Sequence, residues 1–272
     1  MKFKEKDLKK ESSTSPRGLE GLLKKASKKT RHWLDTAQLE YLRKQQDSKT
    51  NYVPDHFHPS SCGEAPRMLY LIFTGQNTSD FSDYSLEKMQ HGNWVHDKNY
   101  DMFTKMGVLK AKEISIKIES PIPISTRCDA IIFEEGTRGD YLVEIKSIES
   151  NGFTDMKSPD FKHLVQWMLG SKLSGVNKGC LFYENKNNQR KKIFDLVNDR
   201  GDLIVKKGLK VIATHSRLME RIDNKLSYVR HCCRENKLPI RCNQCLVRCR
   251  NYSKCEELEK TMEVKLCDLE IC

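Results

Sequence analysis

Two short runs of β-branched and aromatic residues, joined by a polar turn, constrain the fold of this chain more than any other feature. They cover residues 127–133 and 141–148, and the turn between them contains glycine and charged residues. This pattern predicts a β-hairpin. Because side chains alternate between the faces of a strand, Glu144 and Lys146 are expected on one face and their apolar neighbours on the other.

The register of this hairpin brings together residues that carry chemistry. Pairing the two runs antiparallel places Asp129 opposite Glu144. Two neighbouring carboxylates suit Mg²⁺ or Mn²⁺. A lysine two residues further on, Lys146, can orient or deprotonate a water molecule. The residues by themselves also allow a second interpretation, an edge hairpin with a solvated polar face.

Asp129 followed by Glu144-Ile145-Lys146 in an apolar strand resembles the D…(D/E)xK core of the PD-(D/E)xK nuclease superfamily. The resemblance implies an α/β fold in which a mixed central sheet is flanked by helices, a restriction-endonuclease-like core. It also implies that Asp129, Glu144 and the Ile145 carbonyl bind one or two divalent ions and that Lys146 serves the attacking water.

A helix is predicted over residues 86–106, and it contains Gly92-x3-His96. A lone helical histidine is more often a surface or core residue than a ligand, although neutral imidazole can bind Mn²⁺. The Gly-x3-His pattern ahead of the core strands resembles the RecB-like branch of the superfamily, which includes iron–sulfur nucleases of the Cas4, Dna2 and AddB type. In that branch the histidine completes the metal site, so His96 is its expected counterpart.

Beyond Ser158-Pro159-Asp160, a capped and proline-started helix is predicted to run through residues 161–170 and to carry Gln166. RecB-like nucleases have Gln-x3-Tyr in this helix, where the glutamine supports the catalytic lysine and the DNA strand. Gln166 matches that pattern, but Gly170 replaces the tyrosine. The strand expected at residues 179–183 closes the sheet in the family, and a long helix is predicted from about residue 213 to residue 231.

The cysteines are concentrated near the end of the chain. The segment from Cys242 to Cys255 has the spacing C-x2-C-x3-C-x5-C, and a C-x2-C pair is a strong metal-ligand signal. Free thiols on a loop are the alternative, and a Cys₄ set can hold zinc or an iron–sulfur cluster.

The RecB-like iron–sulfur nucleases join one cysteine near the start of the domain to three near its end. By this resemblance the expected ligands of a [4Fe–4S] cluster are Cys62, Cys242, Cys245 and Cys255, with Cys249 as the alternate fourth ligand. The cluster's implied task is structural, to pin the two ends of the chain over the sheet, and zinc remains the alternative metal.

The chain has 272 residues and a formal net charge of +11, an excess that suits binding to a phosphate backbone but also occurs in generically basic proteins. Residues 1–50 are expected to form a basic tail and a helix, and residues 51–272 the nuclease domain closed by the cysteine cluster. The lysine-rich tail is either a nucleic-acid arm or simply a solvated segment. No apolar run is long enough to span a bilayer and no secretory segment is evident, so an intracellular protein, cytoplasmic or nucleoid-associated, is expected.

These features predict a metal-dependent DNA nuclease. The resemblance further implies an exonuclease on single-stranded DNA that acts in DNA processing, recombination or repair. The alternative is a non-catalytic nucleic-acid-binding module with a Cys₄ metal site. Because the sequence has no Gly-x4-Gly-Lys-Ser/Thr loop, a helicase or recombination protein would have to be a separate partner.

Overall fold

The computed structural model describes residues 32–47, 53–77, 82–134, 136, 139–241 and 252–265. By packing, the chain divides into two units, Met1–Gln45 and Gln46–Cys272. In the first unit the structure describes residues 32–45, and these contain most of helix α1, Trp33–Asp47. Asp35 in its first turn and Lys44 in its last turn complement the helix dipole.

The second unit is built on a sheet of seven strands. In chain order these are β1 (Leu109–Ile118), β2 (Ile124–Phe133), β3 (Asp140–Ile148), β4 (Lys178–Asn185), β5 (Lys191–Asp199), β6 (Asp202–Lys207) and β7 (Lys210–His215). Their spatial order equals their chain order. Strands β3 and β4 are parallel and every other neighbouring pair is antiparallel, so the sheet is mixed, as predicted.

Helices cover this sheet. The described helices of the second unit are α2 (Pro59–Cys62), α3 (Pro66–Phe73), α4 (Asp83–Lys105), α5 (Ser150–Asp155), α6 (Phe161–Ser174), α7 (Leu218–Glu235) and α8 (Tyr252–Thr261). A two-stranded parallel ladder pairs β8 (Leu238–Pro239) with β9 (Val264–Lys265). None of the helices in the described ranges combines the length and apolar character needed to cross a bilayer.

The buried apolar side chains form two clusters. The smaller cluster packs α4 against β2, β3 and β4, and Val143 and Ile145 of β3 belong to it. The larger cluster unites α2, α3, α6 and α7 with the sheet and includes the fully buried Trp167 of α6. Val143 and Ile145 therefore face away from Glu144 and Lys146, which lie near α6, and this is the alternation that the sequence predicts.

The connection from β3 to β4 places α6 beside these two central strands. The helix is capped, as predicted, and the cap is Asp160, which accepts a hydrogen bond of 2.8 Å from the Lys162 amide. It is not proline-started, because it begins at Phe161, after Pro159. Gly175 ends the helix with φ of 74°, a left-handed conformation that glycine adopts without a Cβ clash.

Two predictions outside the core hairpin need correction. Strand β4 does not close the sheet, because three more antiparallel strands follow it. The helix expected from residue 213 begins at Leu218, since residues 210–215 form the edge strand β7. Alternating apolar residues in β5 and β6, such as Phe194 and Val205, are fully buried and extend the core beneath the added strands.

Candidate active site

The β2–β3 hairpin sets the positions of the two acidic residues. Its ladder pairs Ala130 with Val143, and one further step in the same register brings Asp129 opposite Glu144. The Ile145 amide donates a 2.7 Å hydrogen bond to Asp129 Oδ2, which holds this carboxylate against β3. Both acidic side chains are buried, with exposed fractions of 8% for Asp129 and 4% for Glu144.

Lys146, Glu144 and Gln166 form a closed triangle of hydrogen bonds. Lys146 Nζ donates to Glu144 Oε1 at 2.7 Å and to Gln166 Oε1 at 2.8 Å. Gln166 Nε2 donates to the same Glu144 oxygen at 2.5 Å. Within the described residues, two of the three ammonium hydrogens of Lys146 have protein acceptors, which leaves the third for a water or phosphate oxygen.

The surroundings of Asp129 and Glu144 disfavour the ionised form of both carboxyl groups. Burial raises the pKa of Glu144, and the nearby charge of Asp129 raises it further, while Lys146 acts in the opposite direction. Burial also raises the pKa of Asp129, against the lowering effects of Lys146 and the Ile145 amide. Additional positive charge at this site would stabilise the ionised form of both carboxylates.

His96 approaches the acidic pair from helix α4. Its Nδ1 lies 3.6 Å from Asp129 Oδ1 and 3.3 Å from the Tyr100 hydroxyl. Burial and the charge of Lys146 lower the pKa of His96, so the neutral imidazole is favoured. A neutral imidazole retains a nitrogen lone pair that can accept a hydrogen bond or bind a metal.

The donor set suits a divalent cation by its chemistry. Two buried carboxylates supply hard oxygen ligands, and a neutral imidazole lies beside them. Within the described part of the chain, however, no group of three or more His, Cys, Asp or Glu side chains is arranged as a metal site. Protein N–H groups engage both carboxylates instead, so ligation by His96, Asp129, Glu144 and the Ile145 carbonyl stays a prediction.

Gly170, at the position where RecB-like nucleases have a tyrosine, is closely packed. A Cβ on Gly170 would lie 3.3 Å from Cys128 Sγ and 3.4 Å from Leu142 Cδ2. Helix α6 therefore sits close to β2 and β3 at this turn, and a larger side chain would push it away. Close packing at Gly170 keeps Gln166, one turn earlier, within hydrogen-bond reach of Lys146.

The sequence prediction missed three polar side chains around this site. Tyr100 contacts His96 across one turn of α4, and His163 lies one turn before Gln166 on α6. Tyr183 is the residue directly beside Lys146 in the β3–β4 ladder. The i+4 and i−3 spacings on the two helices were visible in the sequence, whereas the position of Tyr183 required the strand register.

The structure locates two of the predicted cluster cysteines. Cys62 ends helix α2 and Cys255 lies in α8, and both are buried in the larger apolar cluster. Burial raises the pKa of the Cys62 thiol to about 12, and the charge of Lys225 acts against this rise without cancelling it. Cys242, Cys245 and Cys249 lie outside the described residues, so the cysteine cluster stays a prediction.

Comparisons with known proteins give structural similarity but no sequence family. No family model matches the chain, and no curated protein does. The crystal structure of SSO0001 has a TM-score of 0.40 and 20% identity, covering 60% of this chain and 77% of its own. An alkaline exonuclease (LHK-Exo) from Laribacter hongkongensis has a TM-score of 0.45 and 12% identity, with coverages of 66% and 89%. Its complex with dAMP has a TM-score of 0.44 with the same identity and coverages.

Proposed function

We propose that this protein is a divalent-metal-dependent nuclease that hydrolyses phosphodiester bonds in DNA. One observation carries the proposal: Asp129 and Glu144, both buried, lie opposite each other next to Lys146, which keeps one ammonium hydrogen for an external oxygen. Buried carboxylates whose pKa values are both raised are typical of functional sites. Such a site is suited to bind a cation and a water together.

Each side chain has a distinct part in this proposal. Asp129 and Glu144 would hold the ion, and His96 would complete the ligand set from α4. As an ammonium, Lys146 would donate its remaining hydrogen to the attacking water or to a non-bridging phosphate oxygen. As a neutral amine, it would instead accept a proton from that water. Gln166 holds Lys146 and Glu144 at fixed separation through its amide, because it accepts from one and donates to the other.

The ion, when bound, would lower the pKa of a coordinated water and stabilise the charge that develops on the phosphate. Mg²⁺ and Mn²⁺ both fit the oxygen-rich donor set. The net charge of +11 favours a polyanionic substrate. We further propose that the enzyme prefers single-stranded ends. We also propose that it acts in DNA processing, recombination or repair beside a separate helicase. Both proposals rest on the sequence resemblance.

Metal removal provides the first test. We expect cleavage of end-labelled single-stranded DNA with added Mg²⁺ or Mn²⁺, and complete loss of cleavage with excess EDTA. Substrates blocked at the 5′ or the 3′ end, and a circular single strand, distinguish exonuclease from endonuclease action. Tight DNA binding with no cleavage under any metal would contradict the proposal and favour a non-catalytic binding module.

The cysteine cluster is a separate proposal, supported by burial of Cys62 and Cys255 in one apolar cluster. Protein purified without oxygen should be brown, and Cys62→Ser should lose colour and thermal stability together, because thiolates ligate such clusters. Cys180→Ser is the matched control. The Cys180 thiol is also buried, but it lies in the smaller apolar cluster beneath α4, so the Cys180→Ser protein should remain brown.

Absorbance, with iron, sulfide and zinc analysis, measures the outcome of this experiment. If Cys249→Ser loses its colour and Cys255→Ser keeps it, the fourth ligand is Cys249 and not Cys255. A colourless protein with stoichiometric zinc would establish the zinc alternative. Iron and zinc both absent would refute a metal at these cysteines.

A further inference from the structure

A polar pair next to the candidate site has no part in the proposed chemistry. His163 Nδ1 lies 2.9 Å from the hydroxyl of Tyr183, which is fully buried in β4. Tyr183 stands beside Lys146 in the parallel register of β3 and β4. His163 is on the same face of α6 as Gln166, because residues three apart on a helix are neighbours.

Hydrogen-bond accounting assigns the tautomer of this histidine. The Asp160 amide donates to the Tyr183 oxygen at 3.3 Å, so the tyrosine acts as an acceptor there. The Tyr183 hydroxyl hydrogen then needs an acceptor of its own, and within the described residues that acceptor is His163 Nδ1. A neutral imidazole that accepts at Nδ1 carries its hydrogen on Nε2. Tyr183 therefore holds His163 as an Nε2–H donor.

The Nε2 side of this imidazole is open. His163 is only partly buried, and its Nε2 is not among the buried side-chain atoms that lack a partner. No described residue accepts a hydrogen bond from it. Burial and the charge of Lys146 lower the pKa of His163 to about 4, with Asp160 opposing and Lys162 adding to the effect, so the donor is uncharged at neutral pH.

We propose that His163 is a substrate-binding residue whose Nε2–H donates to a non-bridging oxygen of a DNA phosphodiester next to the one that Lys146 serves. This inference rests on the proposed nuclease function. His163 lies one turn before Gln166, whose side chain contacts Lys146, so one strand of DNA can reach both donors. A neutral hydrogen-bond donor can orient the DNA strand without placing a second positive charge beside Lys146.

Binding and cleavage of single-stranded DNA by His163→Ala test the inference. A hydrogen bond to a charged group contributes about tenfold to binding affinity. We therefore expect KM to rise about tenfold while kcat changes by less than about threefold. His163→Gln places an amide donor near the original Nε2 and should recover most of the affinity. His215→Gln, on the edge strand β7, is the matched control and should match the wild type.

A single methylphosphonate removes the charge from one phosphate and identifies the partner directly. At one position it should weaken wild-type binding, measured by anisotropy in EDTA, and cause no further loss in His163→Ala. Tyr183→Phe should give part of the same loss, and the double variant should be no worse than His163→Ala alone. Equal responses of wild type and His163→Ala at every position would overturn the inference and leave His163 as a packing partner of Tyr183. Because these binding measurements need no metal, failure of cleavage by the wild type would refute only the proposed function.

Discussion

Lys146→Met is expected to lower the rate of metal-dependent DNA cleavage by about 10³-fold while DNA affinity changes little, because a positioned proton donor or acceptor contributes about 10²–10⁴. Methionine retains the length and apolar stem of lysine but removes the ammonium that contacts Glu144 and Gln166. Single-turnover cleavage of labelled single-stranded DNA measures the rate, and anisotropy in EDTA measures the affinity.

Two further variants make this result interpretable. Lys178→Met applies the same change to an exposed lysine of the neighbouring strand, whose partner is Glu134 at 3.6 Å, and should cleave normally. Glu144→Gln should be equally inactive yet at least as stable as the wild type in metal-free buffer, since it removes the repulsion between two buried carboxylates. Added Mg²⁺ or Mn²⁺ should raise the melting temperature of the wild type only. Undiminished cleavage by Lys146→Met would remove this residue from the mechanism.

Glu259→Gln is expected to destabilise the second unit by about 2–3 kcal/mol, because it leaves the buried Arg67 guanidinium without the charge of its half-buried partner. Arg67 in α3 is 1% exposed and donates to the Pro239 carbonyl at 2.8 Å and to Glu259 in α8. Arg241 donates to the other oxygen of the same carboxylate at 2.5 Å. These contacts join α3 to α8, the last helix within the described residues, through side chains other than the cysteines.

Chemical denaturation at neutral pH measures this loss, which corresponds to roughly 5–10 °C in melting temperature. Burial alone would raise the pKa of Glu259, but Arg67 and Arg241 outweigh it and lower that pKa. Its stabilisation is therefore present above the ordinary glutamate pKa and is lost on acidification, so the two proteins should converge at low pH.

Glu263→Gln is the matched control for this prediction. Glu263 pairs with Lys237, but it is 70% exposed, and exposed pairs contribute about 1 kcal/mol or less. Equal effects of the two substitutions would show that the Arg67 contact contributes nothing special to stability.

The alternation of side chains along β3 was readable from the sequence, because strand geometry repeats every two residues whatever the surroundings. That local rule placed Glu144 and Lys146 on one face, and the antiparallel register placed Asp129 opposite Glu144. The capped start of α6 is equally local, because residues 158–160 directly precede the helix, although only the structure identifies Asp160 as the cap. These elements were predicted because their causes lie within a few residues.

The tertiary structure decided the rest, because those contacts join elements that are far apart in sequence. The sequence and its resemblance named Gln166 and His96, but only the packing of α6 and α4 brought them to Lys146 and Asp129. The place of Tyr183 beside Lys146 depends on the parallel register of β3 and β4, which no local pattern encodes. A short segment's propensity can specify a strand or a helix, whereas the meeting of two such segments is decided by which apolar faces they bury against each other.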